Sequence, residues 1–144
     1  MIEHLTDKPA TVFGNSSGAI VALEIHIHYP ERFQKVVAHE PPIVLLLPDA
    51  AKRLAFFDEV YNTYRKDGIP KAMRQFASVI AGKGDQQLIE RYMTQQANEH
   101  TRANVTCWIE HELCKYPRVG LDLDTLAVDT RHLVLAWGRD SQDP

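Results

Sequence analysis

Apolar positions in the first part of the chain follow two periods, which predict a strand, a helix and a second strand. A β-prone run at residues 10–13 ends on Gly14 and leads into a turn of small residues. Apolar side chains then recur at helical spacing over residues 17–29, and Pro30 prevents that helix from continuing. A second apolar run at residues 35–38 completes a βαβ unit, so we expect the two strands to be parallel.

The middle of the chain has the period of amphipathic helices throughout. Between about residue 49 and residue 116, apolar side chains recur at spacings of three and four. Residues 68–70 break the first helix, and their proline suits the first turn of the next one. Residues 82–84 close the second helix, and we expect a third helical region from Asp85 to Pro117.

A third β-prone run completes the order strand, helix, strand, helical insert, strand. It occupies residues 132–137 and follows a loop at residues 120–124. A long helical excursion between two strands of one parallel sheet is typical of an α/β domain that carries an inserted cap. We therefore predict an α/β fold with about three parallel strands, in which residues 1–47 form a partial core, residues 48–117 a helical cap and residues 118–144 the return to the core.

The composition is that of a globular domain, and it limits the expected partners. The 144 residues are 44% hydrophobic and 24% charged, and 16 Lys and Arg against 19 Asp and Glu give a formal net charge of −3. Such a charge provides no field that attracts nucleic acid or an anionic membrane. The longest purely apolar runs, such as residues 43–47, have five residues and are far shorter than the roughly 20 residues of a membrane span. We therefore expect small-molecule or protein partners, no nucleic acid and no membrane.

Cysteine and histidine spacing argues against secretion and against a metal site. Two cysteines do not form the disulfide framework of a secreted domain, and the sequence after Met1 is not a basic-then-apolar leader. The expected location is therefore the cytoplasm. His111 lacks a second histidine four residues away, which the metalloprotease motif requires. We expect neither a metal nor a cofactor.

The strongest chemical signal is a serine between two glycines, where residues 14–18 read Gly-Asn-Ser-Ser-Gly. The pattern alone is weak, but a β-prone run ends on the first glycine and a helix begins just after the serine, which is the setting of a nucleophile elbow. We expect side chains at Gly14 and Gly18 to collide with neighbouring backbone. Ser16 is the predicted nucleophile, and the backbone N–H of Ser17 the predicted oxyanion donor. The alternative is an ordinary glycine-rich turn.

This motif resembles the nucleophile elbow of the α/β-hydrolase superfamily, in particular its cap-bearing esterase- and haloperoxidase-like members. Residues 39–42, His-Glu-Pro-Pro, and the strand that ends at Gly138 support the resemblance. It runs through the whole chain in the order strand five, its helix, strand six, cap and strand seven. The resemblance implies a serine hydrolase that acts on an ester or other acyl substrate with an apolar part.

The resemblance also implies an acidic residue and a histidine beside the serine. Many members carry the acid three residues after the glycine that ends strand seven, where this chain has Ser141, with Asp140 one residue early. Others place the acid directly after strand six, and Glu40 occupies that position. Glu40 is therefore the predicted acid. The alternative is that its carboxylate caps a turn or pairs with a cation.

The family histidine follows strand eight, and none of the seven histidines of this chain matches it. Four strands precede the elbow in full-length relatives, and one of their loops supplies the second oxyanion donor. We therefore expect a chain truncated at both ends, whose elbow strand has an uncovered edge that offers a route to homo-oligomers. One alternative is an inactive module that forms oligomers or binds a small molecule. Another is cofactor-free haloperoxidase or lyase chemistry on the same fold.

Overall fold

The computed structural model describes residues 4, 6–81, 85–86, 89 and 98–138. These described residues contain three strands, which are β1 (Ala10–Asn15), β2 (Phe33–His39) and β3 (Leu133–Ala136). The helices of six or more residues that lie wholly within them are α1 (Ser17–His28), α2 (Ala50–Asp67), α3 (Ile69–Ile80), α4 (Glu99–His111) and α5 (Leu123–Val128). Short 3-10 turns occupy Pro30–Arg32, Val44–Leu46 and Tyr116–Arg118. The predicted α/β class, with three strands, is confirmed.

The three strands form one parallel sheet in the order β1-β2-β3. Asn15 at the end of β1 pairs with His39 at the end of β2, and His39 pairs with Ala136 at the end of β3. The carboxyl ends of all three strands therefore lie at the same edge of the sheet. In open α/β sheets this is the edge at which ligands bind.

Helix α1 covers one face of the sheet because its small and branched apolar residues face the strands. Ala19 and Leu23 are fully buried and pack with Ala38 of β2. One turn further along α1, Ala22 packs with Val36 in a second buried cluster. Apart from Phe33 in the second cluster, the buried residues of this packing are small or branched, so helix and sheet can approach closely.

Buried His26 connects α1 to the segment before β3. Its Nε2 lies 2.8 Å from the carbonyl oxygen of Asp129, which can only accept, so Nε2 carries the proton. Only 3% of the surface of His26 is exposed. This bond links two elements that are 103 residues apart in sequence.

The opposite face of the sheet carries exposed apolar side chains. Phe13, Val37 and Val134 are register partners on three neighbouring strands, so they lie side by side on this face. Phe13 is 66% exposed and Val134 is 38% exposed. The middle of this face is therefore apolar and accessible to solvent, with Thr11 and Lys35 on one side of it and Asn15 and His39 on the other.

The chain divides into two compact units. One comprises Met1–Leu45 with Val119–Pro144, and the other, which we call the helical unit, comprises Leu46–Arg118. The core of the helical unit contains residues from α2, α3 and α4 and from the turn after α4, and these are Val60, Ala72, Met73, Val105, Ile109 and Leu113. A bidentate ion pair between Arg118 and Asp58 joins the end of this unit to α2.

Capping side chains begin two of the helices. Within the predicted third helical region, Asn98 is extended and accepts the N–H of Thr101, so α4 begins at Glu99. Asp122 accepts the N–H of Thr125 in the same way, so α5 forms where a loop was expected.

The break between α2 and α3 agrees with prediction, since Gly68 has a φ of 85° and Pro70 lies in the first turn of α3. The predicted closure at residues 82–84 lies outside the described residues. Among the helices that the structure describes, none is long and apolar enough to cross a membrane.

Candidate active site

Ser16 is the corner residue between β1 and α1. Its backbone has φ 54° and ψ −123°, a conformation that residues with a side chain rarely adopt. Two backbone hydrogen bonds hold this corner: Ser16 N–H donates to the His39 carbonyl and Ala19 N–H donates to the Ser16 carbonyl, each over 2.9 Å. The serine is exposed at the carboxyl edge of the sheet. The strand-to-helix corner predicted around this serine is therefore present, and its backbone is strained.

Gly14 allows β1 and the start of α1 to approach closely. A Cβ at this position would lie 2.2 Å from the carbonyl oxygen of Gly18 and 2.6 Å from its carbonyl carbon. Real Cβ atoms essentially never come within 3.0 Å of another heavy atom. The collision expected at Gly14 is therefore confirmed.

The collision expected at Gly18 is absent. A Cβ built at Gly18 meets nothing within 4 Å among the atoms beyond its own helix turn and chain neighbours. The reason is direction: Gly14 is buried against α1, whereas Gly18 lies on the exposed side of the first turn of α1. The two glycines that look equivalent in the motif therefore have different roles.

Ser17 is the first residue of α1, and its side chain is half-buried. Its N–H lies in the first turn of α1, at the amino-terminal end of the helix. The same end of a helix carries a partial positive charge. This location is compatible with the predicted oxyanion role.

Glu40 follows β2 directly and also has a left-handed backbone, with φ 50°. Its N–H donates to the Ala136 carbonyl, and its Oε1 accepts the N–H of Gly138, each over 2.9 Å. Glu40 thereby joins the end of β2 to the chain after β3. The residue that this carboxylate contacts lies 98 positions further along the chain, so the bond connects two strand ends and does not close a local turn.

Ser16 and Glu40 are the only non-glycine residues with positive φ in the described part of the chain. Such residues are unfavourable by about 1–3 kcal/mol each and are concentrated at active sites and ligand sites. They also occupy neighbouring strand ends, because Ser16 is hydrogen-bonded to His39, the residue before Glu40. The two residues predicted as nucleophile and acid are therefore brought to the same edge of the sheet.

Sequence reasoning missed a side-chain contact beside this corner. His39 Nδ1 lies 2.7 Å from Asn15 Oδ1, and its ring stacks on Phe13 with 6.2 Å between ring centroids. His39 was one of seven histidines without an assigned role. The signal that could have identified this pair is the register, since both residues end their strands.

A surface cavity of about 690 Å³ lies at the opposite, amino-terminal edge of the sheet. Its lining includes Lys8, Phe33 and His132, which precede or begin the strands. It is therefore separate from the serine corner. Among the described residues, no three His, Cys, Asp or Glu side chains are grouped so as to hold a metal ion.

These observations define a structural class, a parallel α/β sheet in which a serine with a strained backbone lies between a strand and the helix that follows it.

The chain is 34% identical over 71 residues to YraK of Bacillus subtilis strain 168, which is described as an uncharacterized hydrolase. The matched stretch covers 48% of this chain and 26% of YraK, so the chain spans about a quarter of that relative. No family model matches the chain. No solved structure matches it either.

Proposed function

We propose that this chain carries the nucleophile of a serine hydrolase of the α/β-hydrolase type, and that Ser16 is that nucleophile. The observation that carries the proposal is the backbone of Ser16, which has φ 54° and ψ −123°. Glycine adopts such a conformation without a steric penalty, so a turn that served structure alone would favour glycine here. A serine that remains in spite of the strain indicates that its hydroxyl has a function.

The proposed reaction is acyl transfer to water. Ser16 Oγ attacks the carbonyl carbon of an ester or other acyl substrate, and the Ser17 N–H stabilises the negative charge on the carbonyl oxygen. The serine proton passes to a histidine and then to the leaving group, which departs as an alcohol or amine. Water then attacks the acyl-serine, so the acid product leaves and Ser16 regains its proton. The substrate is a small molecule with an apolar part, and the reaction uses no cofactor.

Glu40 is proposed as the acid that orients this histidine. An ionised carboxylate has two oxygens with about four acceptor positions, so a bond from Gly138 N–H to Oε1 is compatible with a second partner. The same bond restricts the carboxylate to one position at the edge where Ser16 lies, which favours an orienting role. In this proposal the helical unit, Leu46–Arg118, is the cap.

The alternative function is a module that forms oligomers or binds a small molecule without catalysis. The exposed apolar face of the sheet favours it, since Phe13 is 66% exposed and Val134 38% exposed. Large exposed apolar side chains that lie side by side are typical of interaction surfaces. The two proposals differ in whether the Ser16 hydroxyl is reactive.

A fluorophosphonate probe tests the proposed nucleophile. The full encoded protein is treated with the probe, and the labelled peptide is identified by mass spectrometry. We expect label on Ser16, none after Ser16→Ala, and retained label after Ser17→Ala, because that substitution removes a hydroxyl but leaves the backbone N–H in place. An unlabelled Ser16 in protein whose circular dichroism shows a folded state would contradict the proposal.

A further inference from the structure

We propose that His39 is a positioning residue for the nucleophile Ser16. Its main-chain carbonyl holds the backbone of Ser16, and its imidazole holds the side chain of Asn15, the residue before Ser16. This inference rests on the proposed role of Ser16. It assigns a role to a histidine for which neither the serine motif nor the family resemblance provides one.

The two bonds reach consecutive residues of the elbow. The His39 carbonyl accepts the N–H of Ser16 over 2.9 Å, and the His39 ring contacts the Asn15 side chain over 2.7 Å. Asn15 and His39 are register partners at the ends of β1 and β2, so the sheet itself brings their side chains together. One residue of β2 thereby holds both the last residue of β1 and the corner that follows it.

The side-chain bond also selects one tautomer of the imidazole. Asn15 Oδ1 can only accept a hydrogen bond, so His39 Nδ1 must carry the proton. The Phe13 ring lies against the imidazole at an interplanar angle of 30° and limits its rotation. The ring is therefore held between Phe13 and Asn15 on the face of the sheet away from α1.

The elbow depends on this support because it is strained. A backbone at φ 54° relaxes unless its neighbours hold it. In the described sheet β1 pairs with β2 alone, so β2 provides the sheet contacts of the corner. A misplacement of about 1 Å at a reacting group reduces rate by up to about a hundredfold. Loss of the His39 side-chain bond is therefore expected to slow reaction at Ser16 about tenfold while the main-chain bond remains.

Two substitutions of the same residue separate positioning from proton transfer. In His39→Asn the side-chain Nδ2 takes the place of the imidazole Nδ1 and can still donate to Asn15 Oδ1. In His39→Gln the donor is one methylene further out and misses that acceptor. Asn15→Ala removes the acceptor itself. The rate of Ser16 labelling by a fluorophosphonate probe is measured for each variant of the full encoded protein, together with its thermal unfolding.

We expect His39→Gln and Asn15→Ala to label about tenfold more slowly than wild type, and His39→Asn to stay within about twofold, since positioning depends on the hydrogen bond. A structural role alone would lower the unfolding temperature without this pattern of rescue. Equal loss in His39→Asn and His39→Gln would overturn the inference, because it would show that the imidazole itself is required. Unchanged rates in all three variants would overturn it too.

The tautomer provides a readout that does not depend on reactivity. Nitrogen-15 chemical shifts of the neutral His39 ring should show the proton on Nδ1 in wild type and a shift toward Nε2 in Asn15→Ala. A proton on Nε2 in the wild-type protein would refute the positioning role whatever the labelling rates. Absence of label on wild-type Ser16, with the Nδ1 tautomer present, would instead count against the proposed nucleophile.

Discussion

Gly14→Ala should destabilise the protein because the new methyl group has no room. Its Cβ would lie 2.2 Å from the Gly18 carbonyl oxygen, against a practical limit of 3.0 Å, so the backbone of β1 or α1 must move by at least 3.0 − 2.2 = 0.8 Å. The contact is with backbone, which cannot rotate away as a side chain can. Overpacking of this kind destabilises by about 1–3 kcal/mol and occasionally more. We expect a loss in this range.

Gly18→Ala is the matched control, and we expect it to increase the free energy of unfolding where Gly14→Ala decreases it. A methyl group at Gly18 meets nothing within 4 Å beyond its own turn, and this glycine does not have a positive φ. Since alanine is favoured over glycine in a helix by about 0.5–1 kcal/mol, Gly18→Ala should stabilise by up to that amount.

Urea unfolding followed by circular dichroism measures both variants. With a slope of about 1–3 kcal/mol per molar urea, Gly14→Ala should lower the midpoint by roughly 1 M, and Gly18→Ala should raise it slightly. Equal losses of stability in the two variants would refute the conclusion that Gly14, but not Gly18, lies against neighbouring backbone. A Gly14→Ala protein as stable as wild type would refute the close approach itself.

Three further predictions concern other parts of the molecule. Ser16→Gly should raise the free energy of unfolding by about 1 kcal/mol while it abolishes labelling, because glycine relieves the strain; a loss of stability in urea unfolding would count against strain at this corner. The pKa of Asp122 lies below its usual value because the carboxylate accepts hydrogen bonds from the Thr125 backbone and hydroxyl. Because the folded pKa of Asp122 is below its unfolded pKa, the stability that the ionised carboxylate contributes is present above about pH 4 and is lost as the pH falls. The difference in free energy of unfolding between wild type and Asp122→Asn should therefore shrink in acid, and a difference that stays constant with pH would contradict this. Phe13→Lys should weaken any self-association through the exposed sheet face, and an unchanged concentration dependence in sedimentation would exclude that face.

Most of the core around the elbow could be predicted because it depends on neighbours in sequence. The β-prone run before Gly14, the helical period up to Pro30 and the prolines after Glu40 each define a boundary by local sterics, and the structure has boundaries close to all three. The strained corner followed from the same reasoning, since a strand that ends on glycine beside a helix start leaves the serine no ordinary conformation.

Side-chain capping was harder to predict because it is decided by one hydrogen bond. Asn98 and Asp122 each accept a backbone N–H three residues ahead and so begin a helix. Asn98 lies within the predicted third helical region, and Asp122 lies within the loop predicted at residues 120–124. A period describes which face is buried, but it does not show whether a polar side chain folds back onto the backbone.

Contacts between distant residues were decided by the tertiary structure alone. Glu40 and Gly138 are 98 residues apart and Asn15 and His39 are 24 apart, yet each pair is joined by a hydrogen bond under 3 Å. Both contacts depend on strand order and register, which place the strand ends at one edge, and no local pattern specifies these. The different roles of Gly14 and Gly18 have the same origin. A sequence motif shows which residues stand beside a nucleophile along the chain, but only the packed sheet determines which atoms face each other.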